Sequence, residues 1–199
     1  MTLYETYRSL TFDKSLINLE VGDEVADWFC TPVGATVIGW ENSIHYCFID
    51  GFEEMVFAVN PEGSVNENGE DVHVYPLAEN FEIFIRLILA AKCANHIEQI
   101  IHFNKNEFQL FCENDGSDFN FQTKQRDALN ILATQLNLTP IDDAYEYVKQ
   151  LQRTVDLGAL NYPDAYYETL GIAGCHQAKE TEALFKFNTV SISVVKNIQ

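Results

Sequence analysis

The chain has 199 residues, of which 12 are Lys or Arg and 30 are Asp or Glu, so its formal net charge is −18. This shortage of cations argues against binding to nucleic acid or to an anionic membrane surface, since both require clustered positive charge. The hydrophobic fraction of 47% excludes a disordered acidic chain. These values predict a soluble globular protein with a sizeable core.

The length predicts a single domain, which we place at residues 1–171, followed by a tail of unassigned role at residues 172–199. The chain has 5 cysteines and no C-x-x-C motif, which is typical of reduced thiols in a cytoplasmic protein. The N-terminus lacks the basic and apolar run of a signal peptide. The longest apolar stretch, residues 81–91, is too short to span a bilayer.

The first half of the chain predicts strands, after a weakly indicated helix near residues 23–29. Residues 33–40 are rich in small and β-branched side chains, and residues 44–49 and 55–59 form two further apolar runs. Short turns at residues 41–43 and 50–51 separate these runs, so an antiparallel meander is expected, with helices on one face and partial cover on the other. A polar loop at residues 60–71 then leads to a short edge strand, residues 72–75, which Pro76 ends.

The second half predicts helices. Asn80 can cap the first of them, in which Phe81, Phe84, Ile85, Ile88 and Leu89 recur at helical spacing. Further helices are expected over residues 94–102, from Asn104 to about residue 113, over residues 124–137, from Asp143 to about residue 151, and over residues 164–170. Strands followed by helices predict an α+β fold, in which a twisted and mostly antiparallel sheet packs against helices. The predicted core comprises Trp40, Tyr46, Phe48, Phe57, Phe81, Phe84, Ile85 and Ile88.

Two histidine–cysteine pairs are weak candidates for chemistry. Cys93 and His96 lie at i and i+3, but a structural zinc site normally needs four ligands, so a packed cysteine and a surface histidine are the favoured interpretation. His45 and Cys47 share a strand face, yet no third group can be named that would orient them for nucleophilic catalysis. No cofactor and no metal ion is therefore expected.

Acidic residues give the stronger signal. Residues 15–85 contain 14 Asp or Glu and no Lys or Arg. Three of the acids, Asp50, Glu53 and Glu54, crowd one hairpin end, where solvation argues against acid–base catalysis. The whole window predicts a negative field on the sheet side of the molecule, which would steer a basic partner. Solubility alone is the competing interpretation.

Several segments in a fixed order carry a family resemblance. The general pattern comprises a run of short strands, a Tyr-Pro pair and an F-x-x-F/I-x-R-L-like helix, and the later segments extend it over about residues 1–171. They are residues 28–32, 38–41, 44–48, 55–61, 74–78, 80–87, 140–143, 147–149 and 166–171. The chain resembles bacterial members of the SUKH superfamily, the group that includes the yeast cell-wall-assembly regulator, and in particular a bacterial subgroup with an extended helical C-terminal half.

This resemblance implies a function as well as a fold. Many bacterial members are immunity proteins that neutralise a toxin, often a nuclease or a deaminase, and they are generally not enzymes. The leading hypothesis is therefore a non-enzymatic immunity protein that binds a basic toxin through exposed acids. The expected contact residues are Asp50, Glu53, Glu54, Glu67, Glu70 and Asp71. The alternatives are a regulatory scaffold, like the eukaryotic relative, and an enzyme built on a buried polar cluster.

Overall fold

A four-stranded antiparallel sheet occupies the first half of the computed structural model, which describes residues 1–172 apart from residues 23, 24, 67, 68, 70, 115 and 117. Its strands pair in chain order as a meander: β1 (Ala35–Glu41), β2 (Ile44–Ile49), β3 (Val56–Val65) and β4 (Asp71–Ala78). The predicted antiparallel sheet is confirmed. Most of the predicted tail, residues 173–199, lies outside the described residues.

Helices form most of the second half. The described residues contain α1 (Leu3–Ser9), α2 (Phe81–Ala91), α3 (Ala94–Glu98), α4 (Lys105–Glu113), α5 (Phe119–Leu136), α6 (Ala144–Thr154) and α7 (Asp164–Leu170). Short 3-10 helices span Lys14–Ile17, Gln99–His102 and Leu157–Ala159. This arrangement confirms the predicted α+β class. No helix in the described ranges combines the length and the apolar character needed to cross a bilayer.

The sheet separates two apolar cores, because successive side chains of a strand point to opposite faces. On β2, Ile44 and Tyr46 belong to the larger core, which α2 and the later helices cover, whereas Cys47 and Ile49 belong to the smaller one. The smaller core is covered by irregular segments and by α7 rather than by a full helical layer. The side chains that these elements pack against it are Trp28, Phe29, Leu160, Tyr162 and Tyr166. The expected unequal cover of the two faces is therefore confirmed.

Helix α2 begins and packs as the sequence predicts. The Asn80 side chain accepts a hydrogen bond from the Ile83 backbone N–H at 2.9 Å, which satisfies a donor that the first turn leaves open. Phe81, Phe84, Ile85 and Ile88 are buried in the larger core. Of the eight predicted core residues, Trp40 and Phe48 are only partly buried.

Four local predictions were wrong. No helix covers residues 25–29, whereas α1, with a complete capping box between Thr2 and Glu5, was not predicted. The expected loop at residues 60–71 is largely strand, because β3 continues to Val65. The edge strand, expected to end before Pro76, runs through Pro76 to Ala78 as β4. Pro76 is tolerated because β4 is an edge strand, where one side of the backbone needs no partner strand. Helix α5 begins at Phe119, five residues earlier than predicted, after the Asp118 cap.

Candidate functional site

Of the acids predicted to bind a partner, those that the structure describes do not form one continuous face. Asp50, Glu53 and Glu54 lie in the turn between β2 and β3, and all three are exposed. Asp71 is also exposed but is the first residue of β4, where it pairs with Val65 at the far end of β3. Glu67 and Glu70 lie outside the described residues.

The length of β3 separates these two groups. The strand runs from Val56, next to the turn, to Val65, next to Asp71, and contains 10 residues. At a rise of about 3.3 Å per residue, its ends are roughly 30 Å apart. The exposed acids of the turn can therefore contact one partner surface together, whereas Asp71 belongs to a separate region of the molecule.

At the turn end of the sheet, a cleft of about 340 Å³ opens between α1, the β2–β3 turn and the start of α2. We call it the acidic cleft. Two exposed carboxylates, those of Glu54 and Glu82, contribute to its lining. Its other lining residues are Thr2, Leu3, Tyr4, Phe48, Asn80 and Phe81.

Three aromatic rings form the apolar wall of the acidic cleft. The Tyr4 ring meets the Phe81 ring edge to face at a centroid distance of 5.2 Å and meets the Phe48 ring at 6.2 Å. Phe81 is buried, whereas Tyr4 and Phe48 are partly exposed. The Arg8 guanidinium already lies over the Tyr4 ring, 5.9 Å from its centroid. The ring is thus placed where a cation–π contact can form.

Local capping fixes the two helices that border the acidic cleft. In α1, the Thr2 hydroxyl accepts from the Glu5 backbone N–H at 3.1 Å, and the Glu5 carboxylate accepts from the Thr2 backbone N–H at 2.6 Å. In α2, the Asn80 cap places Glu82 in the first turn, where the helix dipole stabilises a carboxylate. The acids and rings are consequently held on regular elements, apart from Glu54 on its turn.

Carboxylates outnumber cations at this end of the sheet. Asp50, Glu53 and Glu79 are exposed near the cleft acids, at the turn or directly after β4. The Arg8 guanidinium over the Tyr4 ring is the one cation placed beside the cleft by the contacts described above, and residues 15–85 contain no Lys or Arg. Carboxylates beside exposed aromatic edges are suited to bind a lysine or arginine side chain, whose charge meets the acids and whose alkyl stem meets the rings.

Sequence reasoning missed most of the acidic cleft. It did not include Glu82 among the contact residues, it treated Phe48 and Phe81 as core, and it did not predict the helix that carries Tyr4. The capping box Thr2-x-x-Glu5 is a local signal that would have revealed α1. No local signal brings Glu54 and Glu82 together, because chain folding alone makes them neighbours.

The His45–Cys47 pair does not form an activated nucleophile. Burial raises the pKa of the Cys47 thiol to about 12, so the reactive thiolate is scarce near neutral pH. Burial also lowers the pKa of His45, although Asp27 acts in the opposite direction. The His45 ring stacks on Trp28 at 5.2 Å, which indicates a packing role on the side of the smaller core.

The Cys93–His96 pair does not extend into a metal site within the described residues, which contain no group of three or more metal-binding side chains. His96 is buried, so the expectation of a surface histidine was wrong. Its Nδ1 lies 2.6 Å from the Ala91 carbonyl oxygen, and its ring packs edge to face on Phe111 at 5.1 Å. These contacts hold the turn between α2 and α3 together.

A cluster of polar side chains lies inside the molecule, between the sheet and α3. The Glu98 side chain is completely buried and accepts hydrogen bonds from the Tyr75 hydroxyl and from the Asn60 amide, the latter at 3.0 Å. Gln99 donates to the other Glu98 oxygen at 2.7 Å. Since Glu98 has no exposed surface, its carboxylate is available only to these protein donors in this structure.

Glu41 lies at the edge of this buried cluster. Desolvation raises the pKa of its carboxyl to about 7, a hydrogen bond with the Asn95 side chain opposes that shift, and the Glu98 and Glu20 charges add to it. Its Oε2 atom is buried without a hydrogen-bond partner among the described residues. The folded state therefore binds the Glu41 proton more tightly than a solvated glutamate does.

Glu41→Gln is expected to stabilise the protein above neutral pH. The folded pKa of about 7 exceeds the ordinary value of 4.5, so the folded state binds the proton more tightly, and stability falls as the pH rises between those values. After allowance for partial solvent screening, the ionised Glu41 carboxylate lowers the free energy of unfolding at pH 8 by about 1–2 kcal/mol. Urea midpoints at pH 5 and pH 8 measure it, with the exposed Glu62→Gln as the matched control. Equal pH dependence of Glu41→Gln and the unsubstituted protein would contradict the assignment.

No family model, curated protein or solved structure matches this chain. The SUKH resemblance consequently rests on the sequence segments that carry it, and the geometry described above is the basis for the functional proposal.

Proposed function

We propose that this chain is a non-enzymatic protein-binding domain that binds a basic protein partner through the acidic cleft. The observation that carries the proposal is the pairing of Glu54 and Glu82 with the Tyr4, Phe48 and Phe81 rings in one cleft of about 340 Å³. Exposed acids around the cleft add a long-range attraction that speeds encounter with a positively charged surface.

We further propose that the partner is a toxin that this chain neutralises, as an immunity protein does. Two considerations support this finer assignment: the SUKH resemblance and the fit between an acidic surface and the cationic groove with which a nuclease holds phosphates. Within this proposal, a lysine or arginine of the toxin inserts between Glu54 and Glu82. Asp50, Glu53 and Glu79 surround that contact and contribute mainly to the association rate.

The test is co-expression with the toxin encoded beside this chain, followed by binding measurements on purified proteins. Growth in the presence of the toxin is expected only when this chain is produced. A neighbouring gene that encodes no toxin, or toxicity that persists despite co-expression, would contradict the immunity role. Capture of a housekeeping protein in place of a toxin would support the regulatory scaffold instead.

The double variant Glu54→Gln/Glu82→Gln is expected to weaken the complex by about 1–2 kcal/mol for each charge removed, which is roughly 5- to 30-fold per site. Both side chains are exposed, so the fold should survive. The control is Glu113→Gln/Glu168→Gln, which removes the same charge from exposed positions on α4 and α7 outside the acidic cleft. Calorimetry of both variants at two salt concentrations separates a cleft effect from the effect of net charge. Equal affinities for the two variants would exclude the acidic cleft as the binding site.

A further inference from the structure

The contact between α3 and the sheet contains two carboxyl groups, one on each element. Glu41 is opposite Ile44 across the β1–β2 pair, and Ile44 belongs to the larger core, so the Glu41 side chain projects to the helix-covered face. There it forms a hydrogen bond with the Asn95 side chain of α3. Glu98 is completely buried in the same contact, and its charge acts on Glu41. The contact between β1 and α3 therefore depends on a carboxyl group that lies beside a second, buried one.

This contact buries two oxygen atoms that have no hydrogen-bond partner among the described residues, Oε2 of Glu41 and the hydroxyl of Tyr46. Tyr46 is fully buried on β2, opposite Gly39 of β1, and the charges of Glu41 and Glu98 both act on its hydroxyl. A buried polar atom without a partner costs free energy that a solvated one does not. The closed contact is therefore less stable than a fully hydrogen-bonded one, and a change of charge at Glu41 can open it.

Ionisable groups on the neighbouring segments interact with Glu41, and they are Glu20, Tyr46, Cys93 and Glu98. Burial raises the pKa of the Cys93 thiol to about 12 and the pKa of the Tyr46 hydroxyl well above its usual range, so both stay neutral near pH 7. The two glutamates oppose the ionisation of Glu41. The remaining titratable group of α3, His96, contacts the end of α2 instead. Since burial raises the pKa of Glu41 to about 7, its charge changes near neutral pH.

We propose that the contact between α3 and β1 is a pH-sensitive latch, which is closed while Glu41 carries its proton and opens locally when Glu41 is ionised. Ionisation places two like charges in a poorly solvated contact, and movement of the first turn of α3 lets water reach the Glu41 carboxylate and the Tyr46 hydroxyl. Ala94 and Ile97 remain in the larger core, so the domain stays folded. Glu41 lies at the end of β1 away from the β2–β3 turn, so this inference does not depend on partner binding at the acidic cleft.

Amide hydrogen exchange of the full chain, measured by NMR at pH 6 and pH 8, tests the latch. The reporter is the Gln99 amide, which donates to the Asn95 carbonyl at the end of α3, and the reference is the Ile88 amide inside α2. After correction for the intrinsic rate, protection of the Gln99 amide is expected to fall about fivefold to tenfold between these pH values. Urea well below the unfolding midpoint should accelerate exchange of Ile88 but not of Gln99, because a local opening exposes little surface. Equal urea responses, or constant Gln99 protection, would overturn the proposal.

Glu41→Gln imitates the protonated carboxyl and is expected to hold Gln99 protection within about twofold between pH 6 and pH 8. The control is Glu62→Gln, the same change at an exposed position of β3, which should preserve the pH-dependent fall. A second readout is the Asn95 side-chain amide resonance, which should shift with pH in the unsubstituted protein but not in Glu41→Gln. If this resonance shifts while Gln99 protection stays constant, the Glu41 side chain turns to solvent without moving α3, and the latch is excluded.

Discussion

Phe84→Ala is expected to lower the free energy of unfolding by about 3–5 kcal/mol. Phe84 is fully buried in the larger core, where its ring packs against the Tyr46 ring at a centroid distance of 5.3 Å and near Phe81 at 6.5 Å. Truncation removes the transfer energy of the ring and leaves a cavity between α2 and the sheet, which the flanking elements can only partly close. A loss of this size is a large fraction of the 5–15 kcal/mol that typically stabilises a domain.

Urea denaturation followed by tryptophan fluorescence measures this loss. The matched control is Leu110→Ala, which truncates an apolar side chain that is 59% exposed on α4 and should change stability by no more than about 0.5 kcal/mol. Similar midpoints for the two variants would contradict the placement of the α2 apolar stripe against the sheet. A selective loss for Phe84→Ala would confirm that α2 joins the two layers of the fold.

Helix α2 shows which parts of the fold the sequence can predict. Its cap residue Asn80 and its apolar stripe are both local patterns that agree with each other, so its start and most of its buried face were predicted correctly; Leu87, outside the predicted stripe, is buried as well, and Leu89 only partly. The β2–β3 hairpin is a similar case, because the Asp50-Gly51 pair interrupts two apolar runs. Gly51 adopts a φ of +90° there, a conformation that other residues rarely take.

The failures have physical reasons as well. Helix α1 has only 7 residues, too few for a clear apolar period, and it depends on packing of Tyr7 into the larger core. The start of α5 contains Phe119, Asn120 and Thr123, which favour helix weakly, so its Asp118 cap was the more informative signal. Tertiary packing decides at α1, whereas the Asp118 cap decides at the start of α5, where Phe119 is 84% exposed.

The candidate sites depend still more on packing of distant segments. The acidic cleft brings Tyr4, Phe48, Glu54 and Glu82 together from four separate stretches of chain. The sequence shows the acidic window from residue 15 to residue 85. It does not show that β3 separates the exposed acids of this window, with some at each end of the sheet. The charge total is therefore the basis of the proposed basic partner, and the strand order indicates which of the described acids can act together.

The buried carboxylate of Glu98 is the clearest case of a residue whose role only the fold reveals. A glutamate in a short helix is usually solvent-exposed, yet Glu98 has no exposed surface because strand residues and its helix neighbour provide donors to it. Tyr75 and Asn60 donate to one oxygen, and Gln99 donates to the other. Burial and the Glu98 charge together raise the pKa of the Tyr75 hydroxyl well above its usual range, so it remains a donor.

Glu98→Ala is expected to lower the free energy of unfolding by about 2–4 kcal/mol. The substitution relieves one buried charge but removes the acceptor of the Tyr75 hydroxyl and of the Asn60 amide, both on buried residues. A buried donor that loses its acceptor costs about 1–3 kcal/mol, and the vacated volume adds a cavity term. Because these donors lie on β3 and β4, the loss should loosen the contact between the sheet and α3.

Glu98→Gln provides the matched comparison, because it preserves shape and one carbonyl oxygen. That oxygen can still accept from Tyr75 and Asn60, while the new amide group faces Gln99, whose partly exposed side chain can rotate to present its own oxygen. A loss of about 1 kcal/mol or less is therefore expected for Glu98→Gln in urea denaturation at pH 7. Equal losses for Ala and Gln would mean that the negative charge, rather than the acceptor geometry, stabilises the cluster. If Glu98→Ala loses little free energy of unfolding and Glu98→Gln loses much, burial of a polar side chain at this position is itself unfavourable. The Glu98 contacts would then specify the position of α3 without stabilising the fold.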